Sequence, residues 1–202
     1  MKIKLSFAML SLAILVLISV ISFANVNTLP NPMHGYIDLP SSRAYLCSLG
    51  KNGNCGQVMV EPQSVEGRKG FPRRGPADGK IASAGHRWFG ELDEQSATRW
   101  TKVDVSPGKN TFHWTLTAPH RTTGWEYFIT KQDWDPNAPL ARSSFDLQPF
   151  CSRTDGGEMP SFEVSIDCDV PYRTGYQVIL GVWTIYDTGN AFYQVIDANM
   201  KP

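Results

Sequence analysis

Any metal site built on imidazole in this sequence must draw on four histidines, His34, His86, His113 and His120. In the alternating stretch 111–117, His113 shares a face with threonines opposite the apolar residues, so we expect it to face solvent. His86 stands in an irregular stretch and is expected at the surface. His120 follows the end of the alternating stretch, where a loop either presents it as a ligand or leaves it an ordinary loop residue.

The elements that must position these histidines have the pattern of β-strands. Stretches rich in β-branched and aromatic residues are separated by Gly, Pro, Asn and Asp at the spacing of a β-sandwich. They span 99–105, 111–116, 125–130, 176–186 and 192–198. The 14 prolines and 17 glycines argue against a helical bundle. We therefore predict an all-β fold, an immunoglobulin/fibronectin-III-like β-sandwich.

Residues 61–94 do not follow this pattern. They lack sustained alternation, and glycine and proline recur between positions 67 and 79. We predict a long, partly helical loop insertion here. Long structured loops on a rigid scaffold are where binding residues concentrate, so the insertion is expected to contribute to function.

The first residues have the layout of a secretory signal peptide, since Lys2 and Lys4 precede an apolar run that ends at Ala24. We predict a signal peptide over residues 1–24 and a secreted, extracellular protein; an uncleaved membrane anchor is the alternative. The remainder has the size of one domain, which we place at 34–202.

Four cysteines follow this export signal, which favours disulfides over free thiols. Four cysteines permit three connectivities. Pairing of neighbours, Cys47 with Cys55 and Cys151 with Cys168, is favoured because each pair brackets turn residues. A zinc site is the alternative, but the sequence contains no CxxC.

The charge of the chain limits its partners. The 19 basic and 19 acidic residues balance, and loss of Lys2 and Lys4 with the leader leaves 17 against 19, a charge near −2. We expect no nucleic-acid partner, because there is no basic field to attract one. No stable membrane association of the mature domain is expected, and we predict a monomer.

A series of motifs runs through the chain from position 34 to 194. They are HGY at 34–36, PSSRAYLC at 40–47, EPQSVEG at 61–67, GPADG at 75–79, LTAPH at 116–120, SFDL at 144–147, PFC at 149–151 and DTGNAFYQ at 187–194. In these motifs and their order the chain resembles the bacterial chitin-binding proteins classed as lytic polysaccharide monooxygenases, auxiliary activity family 10. The resemblance covers essentially the whole mature domain, and both cysteine pairs fall where the family places its disulfides.

The resemblance implies a copper site. In that family the mature chain begins with a histidine whose α-amino and ring nitrogens bind copper together with a second histidine ring. These roles fall to His34 and His120, with one copper ion per chain, and affinity should fall in acid because both rings bind as neutral imidazoles. Phe192 matches the aromatic ring at the axial side of the copper, and Ala118 matches the small residue opposite. Glu66 matches a carboxylate that positions the oxidant without touching copper.

The implied reaction is oxidative cleavage of crystalline chitin by hydroxylation at C1, beside the glycosidic bond. It uses an external electron donor, with O2 or H2O2 as co-substrate, and no pair of hydrolytic carboxylates. The implied substrate face is flat and polar, with Glu61, Pro62, Thr117, Asp187 and Asn190. Cellulose and GlcNAc-bearing glycans are alternative polymers. A non-catalytic chitin-binding protein or a GlcNAc-glycan adhesin on the same fold is the alternative function.

Three features depart from the family pattern. Val60 stands where chitin-active relatives have a tyrosine, and Pro119 replaces the usual residue before the second histidine. Cleavage after Ala24 would leave residues 25–33 ahead of His34, whose nitrogen would then be a peptide nitrogen and no amine ligand. We therefore expect a further trimming step that removes residues 1–33 in total.

Overall fold

The structure is a computed structural model that describes residues 34–201. Its strands are β1 (Gly35–Leu39), β2 (Glu66–Arg68), β3 (Val103–Val105), β4 (Gly108–Leu116), β5 (Thr122–Ile129), β6 (Cys151–Glu158), β7 (Glu163–Val170), β8 (Gly175–Ile185) and β9 (Asn190–Met200). One α-helix, α1 (Arg43–Ser48), and short 3₁₀ helices at Gly56–Met59, Pro62–Ser64, Arg87–Asp93 and Arg142–Ser144 complete this part of the chain. The predicted signal peptide lies outside the described residues.

The strands form two sheets. The smaller sheet has the order β1-β4-β7, and the larger has the order β2-β9-β8-β5-β6, with β3 added in parallel beside β9. The other pairings are antiparallel. The two sheets enclose one core, so the predicted all-β sandwich is confirmed.

Tryptophans fill the space between the sheets. Trp125 and Trp183 stack with ring centroids 5.0 Å apart, and Trp114 of the opposite sheet meets Trp125 edge-on at 5.3 Å. The indole N–H groups of Trp114 and Trp183 donate to the hydroxyls of Tyr127 and Thr122, each at 2.8 Å. Large rings with satisfied donors make a rigid base for the loops at this end of the sandwich.

The predicted insertion packs on the outer face of the larger sheet. It is partly helical, as expected, but it also contributes strand β2. Its Val65, Ile81 and Phe89 join Val178 and Leu180 of β8 in a second buried cluster. Strands β8 and β9 are thus covered on both faces, which explains why their sequences are nearly continuously apolar rather than alternating.

The strand predicted at 99–105 is wrong over its first four residues, since only Val103–Val105 is extended in a sheet. Trp100 instead lies buried in a loop, between the guanidinium groups of Arg43 and Arg99 at 4.4 and 3.9 Å. The ring is fixed by these cation–π contacts and by its N–H bond to the Glu94 carbonyl, which needs no strand partner.

Both predicted disulfides are present. Cys47 is bonded to Cys55 and Cys151 to Cys168. The first ties the end of α1 to the following turn, and the second joins the start of β6 to β7, which links the two sheets. Within the described range, none of the helices has the length and apolar character needed to cross a membrane.

An ion pair lies in the interior, between Arg43 of α1 and Asp197 of β9. Their side chains are 1% and 0% exposed, and two nitrogens of Arg43 contact the two carboxylate oxygens at 2.9 and 2.6 Å. The Leu92 carbonyl accepts from a third nitrogen at 2.6 Å, and the Tyr176 hydroxyl donates to Asp197 at 2.6 Å. The pair anchors the helix to the sheet with its polar atoms engaged.

Candidate metal centre and substrate face

His34 is held directly before strand β1 by the chain at the end of β4. Its carbonyl oxygen accepts from the backbone N–H groups of Thr117 and Ala118 at 2.8 and 3.1 Å, and from the Thr117 hydroxyl at 3.1 Å. Gly35 pairs with Leu116, and a β-carbon at Gly35 would lie 2.5 Å from Leu116 Cδ2. The glycine after His34 therefore permits the close approach that sets the histidine at this edge.

His120 reaches the same edge from the loop between β4 and β5. Its residue is 8% exposed, and its carbonyl accepts from the Thr122 hydroxyl at 2.9 Å. The His120 ring lies 5.8 Å from Trp183 and 5.9 Å from Phe192, and the His34 ring meets Phe192 edge-on at 5.8 Å. Two imidazoles from different parts of the chain thus converge on the buried ring of Phe192.

The surroundings of His34 favour its neutral ring. Burial is the main cause that lowers the pKa of His34, and the neighbouring His120 lowers it further. Glu66 and Glu61 act in the opposite direction without reversing the shift. A neutral imidazole carries a lone pair that a metal ion can accept, so the environment suits a ligand.

Glu66 is placed beside this pair by strand β2. It lies opposite Phe192 in the β2–β9 pairing, and its carboxylate accepts from the Asn190 side-chain amide at 2.9 Å. This amide fixes the carboxylate near His34, whose titration it influences. The structure therefore brings all five sequence-predicted catalytic residues to one end of the sandwich: His34, His120, Glu66, Phe192 and Ala118.

The residues predicted to contact substrate are at the same end but differ in exposure. Thr117 and Asp187 are exposed, while Glu61 is partly buried and accepts from the Gln57 side chain at 3.2 Å. Pro62 is buried, and its carbonyl accepts from the Gln194 side chain at 3.1 Å, so it supports the turn and presents little surface to a ligand. Asn190 is partly buried through its bond to Glu66.

Lys69 is a residue of this region that the sequence did not single out. Its ammonium group donates to the carbonyls of Ile185, at 2.9 Å, and Thr188, and its backbone N–H donates to the Gly189 carbonyl at 3.0 Å. These bonds fix both sides of the loop that carries Asp187. A lysine in a glycine-rich stretch has no periodic signature, so only the folded structure identifies it.

The remaining histidines lie elsewhere. His113 in β4 is held between the carboxylates of Asp38, at 2.6 Å, and Glu163, at 3.1 Å, so its partly exposed ring is engaged and not simply solvated. His86 stacks on Phe89 at 4.8 Å and is partly buried. Neither approaches the pair formed by His34 and His120 in the described contacts.

A copper ion fits the donors at this end of the fold. Among residues 34–201 no cluster of three or more His, Cys, Asp and Glu side chains could hold a metal. A third protein ligand for a site built on His34 and His120 would therefore come from outside these side-chain types. The α-amine of a chain beginning at His34 would supply it, and a set of three nitrogens suits copper by ligand type.

The fold and this pair of histidines define a family. Residues 34–198 match the family model described as lytic polysaccharide mono-oxygenase, cellulose-degrading. The chain belongs to the lytic polysaccharide monooxygenase family, in agreement with the resemblance in its motifs. Members of this class cleave polysaccharides by oxidation.

Relatives of known structure and sequence agree with this assignment. An AA10 lytic polysaccharide monooxygenase from Photorhabdus luminescens has 53% identity and a TM-score of 0.82, over 84% of this chain and 99% of that chain. A Bacillus amyloliquefaciens protein, CBM33 in complex with Cu(I), has 46% identity and a TM-score of 0.78, over 83% of this chain and 100% of that chain. GlcNAc-binding protein A from Shewanella oneidensis is 54% identical over 169 residues, 83% of this chain. This chain spans only 36% of the length of that relative.

Proposed function

We propose that this protein is a copper-dependent monooxygenase that cleaves crystalline chitin by oxidation at C1. The observation that carries the proposal is the convergence of the His34 and His120 rings on Phe192, with the Glu66 carboxylate beside them. Family membership supports oxidative attack on a polysaccharide. A neighbour of known structure in complex with Cu(I) supports copper as the metal.

The chain's own residues would divide the work. His34, through its ring and a freed α-amine, and His120, through its ring, would hold copper. Bound copper would supply one-electron chemistry with an external electron donor and with O2 or H2O2. Phe192 packs against both rings, and Glu66, whose carboxylate accepts from the Asn190 amide, would position the oxidant. The backbone N–H of Ala118 donates to the His34 carbonyl, and its small side chain would limit the space beside the metal.

The proposal includes a processing step. A signal peptide over residues 1–24 and further trimming to position 33 would give a secreted, monomeric domain over 34–202. Only then would the His34 nitrogen be an amine. A chain that retains residues 25–33 would carry a peptide nitrogen at this point, which is a poor metal ligand at neutral pH.

Chitin is favoured over cellulose by the names of the relatives. The matched proteins from Shewanella and Vibrio are named for binding GlcNAc, the sugar of chitin. A neighbour from Cellvibrio japonicus is described as important for efficient utilization of chitin. The same names support the second candidate, a GlcNAc-binding protein or adhesin that does not oxidise its ligand.

The test compares two purified chains, one beginning at His34 and one at Asn25. Each is loaded with copper and incubated with ascorbate and β-chitin. We expect aldonic-acid oligosaccharides from the first chain only, and loss of these products in His120→Ala. His113→Gln serves as the matched histidine control and should retain activity. Binding of chitin without oxidised products from the His34 chain would favour the binding-protein alternative.

A further inference from the structure

An exposed tyrosine lies at the end of the sandwich that carries the two histidines. Tyr186 opens the loop 186–189 between β8 and β9, and it is 50% exposed. We propose that Tyr186 is a sugar-stacking residue that extends the polysaccharide-binding face on the His120 side. The inference rests on the proposed function for its ligand class, a β-linked GlcNAc polymer, and it assigns a new contact to that ligand.

The backbone fixes Tyr186 next to the metal centre. Thr122 pairs with Ile185, and the Tyr186 backbone N–H donates to the Arg121 carbonyl at 2.8 Å. Arg121 directly follows His120, and Asp187 directly follows Tyr186. The ring therefore leaves the chain at the same end of the sandwich as His120 and the exposed Asp187.

The ring is also held in place. A β-carbon at Gly157 would lie only 3.1 Å from three carbons of the Tyr186 ring, so the bare glycine backbone packs closely against it. The Arg121 guanidinium lies 4.9 Å from the ring centroid and donates to the Gly157 carbonyl at 2.8 Å. A ring already packed against Gly157 and Arg121 loses little conformational entropy when a ligand covers its exposed part.

The loop beneath the ring is equally constrained. Lys69 binds the carbonyls of Ile185 and Thr188, which flank Tyr186 and Asp187. Both residues thus keep a constant position relative to the histidines. Groups that are preorganised in this way lose little conformational entropy on binding, which suits contact with the regular surface of a polymer.

The chemistry of the ring matches a polysaccharide. A pyranose presents C–H groups on its faces and hydroxyls around its edge, and an aromatic ring beside polar groups complements both. Tyr186 adjoins Asp187, and the loop between β6 and β7 at this end also exposes Met159 and Phe162. These residues form a mixed apolar and polar surface that extends beyond the two histidines, which suits the flat face of a polymer.

Tyr172 provides a matched control. It is 66% exposed, but it precedes β8 whereas Tyr186 follows it. The eleven residues of β8 separate the two rings by about 33 Å of strand. Removal of Tyr172 therefore takes away an exposed tyrosine without changing the proposed face.

The experiment measures binding isotherms on β-chitin without reductant, for the parent protein and for Tyr186→Ala, Tyr186→Trp and Tyr172→Ala. We expect about five- to tenfold weaker binding for Tyr186→Ala, and parental binding for the other two. Copper affinity and thermal midpoint should stay unchanged in Tyr186→Ala, which separates a lost contact from a damaged site.

Three results would overturn the inference. They are parental binding by Tyr186→Ala, an equal loss in Tyr172→Ala, and absence of chitin binding by the parent protein. Failure of the proposed oxidation would give a different result from failure of the Tyr186 inference. A parent protein that binds chitin and releases no oxidised products would leave the stacking role of Tyr186 measurable and contradict the catalytic proposal alone.

Discussion

Two clusters of nitrogen-bearing side chains in this molecule are built in opposite ways. Arg43 lies in the interior, where the Asp197 carboxylate and the Leu92 carbonyl engage its guanidinium. His34 and His120 lie at the end of the sandwich, where the rings of Phe192 and Trp183 pack against them. The first cluster is closed by charge and hydrogen bonds, whereas aromatic rings line the second.

The difference indicates what each cluster is for. A buried charge without partners is strongly unfavourable, so a closed network such as Arg43–Asp197 serves the fold. Aromatic rings packed beside an imidazole limit its orientations, which suits a ring proposed to bind a metal. Changes in the first cluster should therefore alter stability, and changes in the second should alter metal binding and activity.

The largest effect is expected from Asp197→Ala. It leaves the Arg43 guanidinium buried without its counter-charge, which should cost about 3–5 kcal/mol of unfolding free energy. Urea denaturation followed by tryptophan fluorescence measures this. Asp104→Ala removes the exposed partner of Lys201, a contact of 2.6 Å, and should change stability little. If Asp197→Ala and Asp104→Ala lost equal amounts of unfolding free energy, the contrast between interior and surface ion pairs would be refuted.

Copper bound at His34 and His120 should raise the unfolding free energy by an amount comparable to the loss expected in Asp197→Ala. For a chain that begins at His34, copper at 1,000 times its dissociation constant should raise the unfolding free energy by about 4 kcal/mol. His120→Ala should lose most of this gain while unfolding like the metal-free parent. Thermal denaturation with and without copper measures both. A copper-induced shift that persists in His120→Ala would show that the metal binds elsewhere.

The same two clusters show what the sequence could and could not predict. The strand-like runs and the turn residues between them predicted the sandwich, and the family resemblance, to which the HGY and LTAPH motifs contribute, assigned the two histidines. Strand β7 went unpredicted, although its burial alternates residue by residue. Strand β6 is polar and gave no signal, since CSRTDGGE has few apolar residues.

Long-range partners were the part that sequence patterns could not supply. Arg43 and Asp197 are 154 positions apart, and nothing local marks them as a pair. Glu66 was assigned by its motif, but its β2 strand lies inside a stretch without alternation and forms only against β9. Lys69 acts through backbone carbonyls, which any sequence would offer. Such contacts depend on the assembled fold.

An effect of intermediate size is expected at Lys69. This residue supports the loop 186–189 by binding backbone carbonyls, and it makes no ligand contact of its own in this proposal. Lys69→Met should release the carbonyls of Ile185 and Thr188 and raise the apparent KM for chitin about three- to tenfold. We expect kcat and copper affinity to be retained. Lys80→Met is the control, since Lys80 is exposed and faces Asp93 at 3.6 Å. A drop in kcat at unchanged KM would assign Lys69 a different role.

The smallest change in chitin affinity should come from Val60→Tyr. This variant compares two parts of the proposed chitin-binding face, the one at Val60 and the one at Tyr186. Val60 is 71% exposed and adjoins Glu61, so a ring there can face a polymer without repacking the core. Stacking should tighten chitin binding about two- to fivefold, whereas Val60→Leu adds apolar area without a ring and should gain less. In Tyr186→Ala the same change should restore part of the lost affinity, because both rings would serve one flat ligand. A gain of equal size from leucine would mean that apolar area matters at this flank and that an aromatic ring does not.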